Sequence, residues 1–303
     1  MHQPVLYHSI IHALRPYPGG RYVDGTVGAG GHAWGILEAS SPDGCLLGLD
    51  LDPQALQIAD ERLAQFGNRK TLIQASYATL SEQIEILGWE AVDGILLDLG
   101  VSSMQLDTPE RGFSFRTEAP LDMRFDPGSE VQAQDLVNEL PERDLANLLY
   151  HYGEERRARQ IAKAIVAARP IQTTTALADI VKDVVGAGDR HIHPATRSFQ
   201  ALRIATNREL DSLKAVLPQT IKALAPGGRV AVISFHSLED RLVKVFYKEE
   251  SRDCLCPPRQ PICTCGHRAT LRIITRRPIR PEQTEIETNP RARSARLRVA
   301  EKI

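Results

Sequence analysis

Tyr22-Val23-Asp24-Gly25-Thr26-Val27-Gly28-Ala29-Gly30-Gly31-His32 is the stretch on which the fold turns. An apolar run that ends in an acid and passes into a glycine cluster reads as a strand turning sharply into a helix, with bare backbone N–H groups at the turn. Gly28, Gly30 and Gly31 leave room for a ligand to approach. A second apolar run, Cys45–Asp50, leads into Asp50-Leu51-Asp52-Pro53. Asp50 falls about 20 residues beyond the glycines, where an acid closing the next strand accepts hydrogen bonds from the hydroxyls of an adenosine ribose. Asp52 reads as the N-cap of a helix that begins at Pro53, because proline is favoured at the first helical position.

Two cofactors fit this geometry. Gly28-Ala29-Gly30-Gly31-His32-Ala33 satisfies the G-x-G-x-x-G/A pattern, so a nicotinamide dinucleotide stays open. Asp24 weighs against it, since a carboxylate before the glycines would repel a pyrophosphate. S-adenosyl-L-methionine carries no phosphate, and its ammonium and sulfonium favour a nearby carboxylate. Asp24-Gly25 with Gly28, Gly30 and Gly31 resembles the first motif of the methyltransferase Rossmann sheet. Asp24 itself is read as orienting the glycine loop and is assigned no ligand contact.

The chain has 303 residues, 42% of them hydrophobic, enough for a sizeable core in one large domain or two. No apolar stretch reaches the roughly 18 residues of a membrane span, and Met1 to Gly20 does not read as a secretory leader, so a cytoplasmic protein is expected. A formal net charge of −1 gives no global pull on nucleic acid. A nucleic-acid partner must therefore be held by local basic patches.

Cys45–Asp50, Lys70–Gln74 and Gly94–Asp98 are short apolar runs separated by amphipathic helical stretches, which predicts a parallel sheet with helices on both faces. The alternation stops at Asp107 and resumes at Gly228–Phe235. The organisation read from this is a core in two parts, 1–106 and 196–303, with a helical insertion at 107–195 for substrate recognition. Within the insertion, Leu177, Ile180, Val181, Val184 and Val185 recur at helical spacing behind a Thr174 or Thr175 N-cap. Ala158, Ile161, Ala162, Ile165 and Val166 mark a second buried stripe. Arg156, Arg157, Arg159 and Lys163 populate the opposite surface, either as a solvated face or as a phosphate-contacting one. Leu217–Leu224 ends at Pro226-Gly227-Gly228 before the strand Arg229–Phe235, and Leu271–Thr275 with Ala295–Val299 predict a closing antiparallel hairpin.

Further motifs join the first: Leu96-Leu97-Asp98-Leu99-Gly100-Val101-Ser102-Ser103 with Gln105-Leu106-Asp107, Arg111-Gly112-Phe113-Ser114-Phe115, Pro120-Leu121-Asp122-Met123-Arg124, His193-Pro194-Ala195-Thr196-Arg197-Ser198-Phe199-Gln200, Ser234-Phe235-His236-Ser237-Leu238-Glu239-Asp240-Arg241 and Asn289-Pro290-Arg291-Ala292-Arg293-Ser294. Together they resemble the bacterial 16S ribosomal RNA cytosine-N4 methyltransferases, the RsmH or MraW family, over nearly the whole chain. The resemblance implies an α/β, Rossmann-like S-adenosylmethionine-dependent sheet with an inserted helical domain. It implies methyl transfer to the exocyclic N4 of one cytidine in the decoding region of 16S ribosomal RNA. The partner is then the small ribosomal subunit or a late assembly intermediate, and a homodimer stays open. Family cofactor positions fall on Gly30, Gly31, His32, Asp50, Tyr77, Asp98 and Gln105.

An exocyclic amine is a poor nucleophile, so its N–H must be polarised and its nitrogen aligned with the methyl–sulfur bond. Asp98, at the predicted end of the fourth strand, and His236, after the fifth, are the candidate catalytic groups. DNA amino-methyltransferases carry a Pro-Pro-aromatic sequence after the polar residue of that strand. Asp98-Leu99-Gly100-Val101 lacks it, so whether Asp98 serves cofactor, amine or both is open. A flipped base needs a stacking pocket, for which Phe113, Phe115, Arg116 and Arg124 are candidates. Arginines crowd the last part of the chain, at Arg268, Arg272, Arg276, Arg277, Arg280, Arg291, Arg293, Arg296 and Arg298, as phosphate contacts or as solvated strand edges.

Cys254-x-Cys256 and Cys263-x-Cys265 flank Pro257, Pro258 and Pro261. The C-x-C spacing is tighter than the usual zinc knuckle. A zinc site stays open, but no metal is assigned and reduced thiols are expected.

Overall fold

The computed structural model describes residues 4–186, 193–258, 260 and 262–303. Pro261 lies outside them. The chain divides into two compact units, residues 1–100 with 210–303, and residues 101–209.

The first unit is built on a seven-stranded sheet: β1 (Arg21–Asp24), β2 (Cys45–Asp50), β3 (Lys70–Gln74), β4 (Val92–Asp98), β5 (Leu224–Ser234), β6 (Leu271–Ile273) and β7 (Arg296–Lys302), in the order β3-β2-β1-β4-β5-β7-β6. β1 to β5 pair in parallel, while β7 runs antiparallel to both β5 and β6. The pleat sends alternate residues to opposite faces. Val23, Leu47, Leu49, Ile95, Leu97, Val230 and Val232 join one core with helices Leu80–Ile86, Glu209–Ala223 and Ser237–Glu250. Tyr22, Leu46, Leu96, Ala231, Ile233, Leu297 and Val299 join the other, with helices Tyr7–Leu14, Gly31–Ala39 and Pro53–Arg62. This is the doubly wound α/β sheet predicted from the alternation of strand and helix. Pro53 does open its helix, and Asp52 caps it by accepting the Gln54 N–H at 3.1 Å.

Several boundaries differ from the sequence reading, among them the start of β4 at Val92 and the span of β7, Arg296–Lys302. β5 starts at Leu224 rather than Arg229, because Leu224 already pairs with Val92. Pro226-Gly227-Gly228 then forms a bulge before pairing resumes at Gly94 and Arg229. The helical unit spans 101–209, where the sequence reading set 107–195. Helix Thr196–Thr206 accounts for the longer end, since its Phe199, Ala201 and Leu202 are buried in the helical core.

That core gathers Val137, Leu145, Leu149, Ile161, Ile165, Leu177 and Val181 from helices Ala133–Glu139, Glu142–Gly153, Ala158–Ala167 and Thr174–Val185. The cap of the last of these is Thr173, which accepts the Ala176 N–H at 3.3 Å, not Thr174 or Thr175. Thr174 is buried instead, donating to Thr117 O and accepting from Ala119 N–H. Among the described residues no helix is long and apolar enough to cross a membrane.

Candidate functional site

The strand order reverses between β1 and β4. Loops leaving the sheet part at such a point and open a crevice at the carboxyl ends of the strands. Asp24 ends β1 and Asp98 ends β4. The intervening turn is tied to both neighbours: Gly25 N–H donates to Leu96 O and Val27 N–H to Leu49 O, each at 2.9 Å. Asp98 N–H donates to Thr26 Oγ1 at 2.6 Å.

Asp50 closes the turn. One carboxylate oxygen accepts from Gly28 N–H at 2.8 Å and the other from Asp52 N–H at 2.9 Å. Burial raises its pKa, and these backbone donors oppose the rise. Each carboxylate oxygen has a further lone pair, so bracing the loop does not exhaust what Asp50 can accept. Gly28 and Gly30 take φ of 51° and 75°, conformations that strain any L side chain. The room saved at two glycines is used by the protein itself, however. A Cβ on Gly30 would meet Ala59 Cα at 3.3 Å, and one on Gly31 would meet Pro4 Cγ at 2.4 Å.

Above the turn lies a group of buried polar atoms that lack partners. Asp24 is 1% exposed, and its Oδ1 accepts from Thr26 N–H at 3.2 Å while Oδ2 has no hydrogen bond. Burial pushes its carboxyl up to about 7, against the pull of His32 and of the Thr26 N–H. His32 sits in the first turn of its helix, stacked on Tyr7 at 6.3 Å, and neither ring nitrogen is hydrogen bonded. Its Nε2 lies 3.6 Å from Asp98 Oδ2, beyond hydrogen-bond range, and Asp98 Oδ1 is buried without a partner. Such atoms cost about 1–3 kcal/mol each when left unsatisfied. A ligand bringing N–H donors and positive charge would satisfy them, and the ammonium end of S-adenosyl-L-methionine is of that kind.

Tyr77 begins a short helical turn after β3, half-buried, with its Cβ close to where a Cβ on Gly25 would stand. Gly30, Gly31, His32, Asp50, Tyr77 and Asp98 thus gather along one edge of the sheet. Gln105 belongs to the helical unit. There its Oε1 accepts from Ser102 N–H at 3.1 Å and its own N–H donates to Ser102 Oγ at 3.2 Å, a reciprocal cap. His236 is also a cap: its Nδ1 accepts from Glu239 N–H at 3.4 Å, and its Nε2 is 3.1 Å from Glu239 Oε1. Asp24, assigned no contact in the sequence reading, stands in this unpartnered group. The available signal was an acid closing a strand of otherwise buried side chains.

Several substrate-side candidates have structural employment. Phe113 stacks on Phe125 at 5.6 Å, and Phe115 lies between His193 and Phe199. Arg124 is held by Asp122 through two bonds of 2.9 and 2.7 Å, while Arg116 is exposed. Arg298 and Arg296 both bind Asp240, and Arg272 binds Glu301, which also takes Arg229. Those three of the C-terminal arginines therefore lock β6 and β7 into the sheet unit. Arg157 donates to Val184 O and Val185 O, closing helix Thr174–Val185. Arg156, Arg159 and Lys163 stay exposed beside it. If this face contacts RNA phosphates, changing those three to alanine flattens the salt dependence of binding by about two in log–log slope, at roughly 0.7 per phosphate contact. Filter binding across a salt series reads this, and an unchanged slope would return the face to mere solvation.

A sequence profile of the MraW methylase family matches residues 1–303. The protein named ribosomal RNA small subunit methyltransferase H in Geobacter sulfurreducens is 53% identical over 307 residues, covering 100% of this chain and 99% of its own. Its namesake in Syntrophus aciditrophicus is 53% identical over 307 residues, covering 100% and 98%. That of Thermomicrobium roseum is 52% identical over 305 residues, covering 100% and 94%. With likeness at this level running from end to end, the chain belongs to the MraW methylase family.

Proposed function

We propose that this chain transfers a methyl group from S-adenosyl-L-methionine to the exocyclic N4 of a specific cytidine in the decoding region of 16S ribosomal RNA. Membership of the family makes it a methyltransferase with that donor. The relatives' shared name supports small-subunit ribosomal RNA as substrate. The observation that carries the choice of an amine is Asp98 Oδ1, buried and unpartnered at the carboxyl end of β4.

When bound, the cofactor supplies an electrophilic methyl group on a sulfonium centre. The chain's own residues do the rest. Asp24 offers an anionic oxygen to a cationic ligand group. Asp50 fixes the glycine turn and has lone pairs left for ribose hydroxyls. Tyr77 offers a ring for adenine, with Gly30, Gly31 and His32 forming the helix start beside it. Gln105 is assigned to cofactor binding on the family resemblance alone. Asp98 accepts an N–H of the target amine, which concentrates its lone pair for in-line attack. His236 is the second polar group placed after a neighbouring parallel strand, and it orients the base or takes up the released proton.

Attack through a ring carbon of cytosine calls for a thiol nucleophile to activate the ring. Cys45 stands at the opposite, amino-terminal end of β2. A dinucleotide would set its pyrophosphate against the carboxylate of Asp24. The helical unit is assigned to substrate recognition, and the setting to the cytoplasm, on the small subunit or a late assembly intermediate.

Incubating the protein with labelled S-adenosyl-L-methionine and small subunits lacking the modification, then digesting the RNA to nucleosides, tests the proposal. Label is expected in N4-methylcytidine. Label in another nucleoside would overturn the atom assigned, and none in subunits or assembly intermediates, with cofactor bound, would overturn the substrate.

A further inference from the structure

Between helix Ser237–Glu250 and β6 the chain makes an excursion, 251–269, in which no described residue is buried. Its base is closed by Thr270 N–H to Glu250 O at 2.8 Å and Ala269 N–H to Asp253 Oδ1 at 3.3 Å. Beyond that base none of its described residues belongs to an apolar core. What the segment holds instead is sulfur. The four Sγ atoms of Cys254, Cys256, Cys263 and Cys265 all lie within 4.8 Å of one another. Cys254 to Cys263 is 3.4 Å, Cys263 to Cys265 is 3.6 Å, and Cys265 to Cys254 is 3.8 Å.

We propose that these four cysteines form a structural zinc site, a tetrathiolate that holds the 251–269 excursion in shape. Zinc–sulfur bonds of about 2.3 Å at tetrahedral angles set the sulfurs about 3.8 Å apart, close to the spacings found. A disulfide needs about 2.05 Å, and all four thiols are free. Backbone amides already point at the sulfurs: Leu255 N–H at Cys265, Cys256 N–H at Cys254 and Thr264 N–H at Cys256, at 3.3 to 3.4 Å. Such donors stabilise the negative charge of thiolates gathered round a cation. Four protein ligands leave no open position for substrate, so the metal is a staple and not a catalyst.

The C-x-C spacing, tighter than the usual knuckle, does not keep the four sulfurs apart. Each pair spans one intervening residue, and the sulfurs of the two pairs meet, so the cage closes between the two arms of the loop rather than within one knuckle.

The test uses the full chain purified without chelator or added metal. Mass spectrometry of metals is expected to find roughly one zinc per chain. Cys256→Ser with Cys263→Ser should lose it, and Cys45→Ser should keep it. Exchange of cobalt(II) into the unaltered protein should give the strong visible bands of tetrahedral thiolate coordination, a readout that holds even if the double variant fails to fold. The proposal is overturned by a metal-free protein that yields no such spectrum, by an intact mass showing two disulfides, or by iron in place of zinc.

Discussion

Asp98→Asn is expected to lower kcat/KM for methyl transfer by roughly 100- to 1,000-fold, the range of a lost acid–base or charge-stabilising group. The substitution keeps the shape of the side chain and the backbone N–H bond to Thr26 Oγ1, so the turn between β1 and β4 should survive. What it removes is a carboxylate whose Oδ1 is buried without a hydrogen bond and whose Oδ2 lies 3.6 Å from His32 Nε2. Thermal melting should therefore hold or improve while activity falls. Isothermal calorimetry with the cofactor divides the loss: unchanged affinity places Asp98 on the amine, and a parallel drop places it on the cofactor. Activity within threefold of the unaltered protein would remove Asp98 from the chemistry altogether.

Asp24→Asn should abolish a pH dependence. The carboxyl of Asp24 is pushed up to about 7 by burial, with His32, Asp98 and Asp50 around it. An unfolded chain ionises this group near its ordinary value, so between the two values the folded protein holds the extra proton. Its stability accordingly falls as pH rises through 7 and then levels off. A cation bound beside Asp24 selects the ionised form. Cofactor affinity should thus rise about tenfold from pH 6 to pH 8, with proton release at the lower pH. In Asp24→Asn that rise disappears, and affinity at pH 8 drops by about tenfold or more, as expected for one charged hydrogen bond. The ligand's own titration is common to both proteins and cancels in their ratio. Since the variant spares the free protein a buried charge, weak binding could not be blamed on unfolding. A ratio that stays flat across the pH range would take Asp24 out of cofactor binding.

The sheet was readable because its strands are short apolar runs flanked by turns, so Cys45–Asp50 and Lys70–Gln74 stand in the structure with the bounds their composition predicted, although only the first is buried. Where tertiary pairing overrides local punctuation, reading stopped short. Leu224 looks like a helix end before Pro226-Gly227-Gly228, yet pairing with Val92 makes it a strand. Charged residues were the least legible. Arg298, Arg296 and Arg157 read as candidate phosphate ligands, and only their distant partners, Asp240 and the carbonyls of Val184 and Val185, reveal structural work. Asp50 shows a mixed case. Its place at the strand end was evident from spacing, while its role as a brace for Gly28 needed coordinates. The cysteines left the question of a metal open, because motif spacing measures separation along the chain and a cage depends on separation in space.

The position of β7 has a consequence for biosynthesis. The last strand of the sheet in chain order, Arg296–Lys302, is not at the rim but between β5 and β6. Ribosomes add about 5–20 residues per second, so the uninterrupted helical unit, complete at residue 209, leaves the exit tunnel on the order of ten seconds before that strand does. During this interval β5 presents an unpaired edge that includes Val230, Val232 and Ile233, a template for pairing with another chain. The nascent enzyme thus carries a finished module and an open sheet together, and the window in which it is prone to aggregation closes only once Arg296–Lys302 is available to pair.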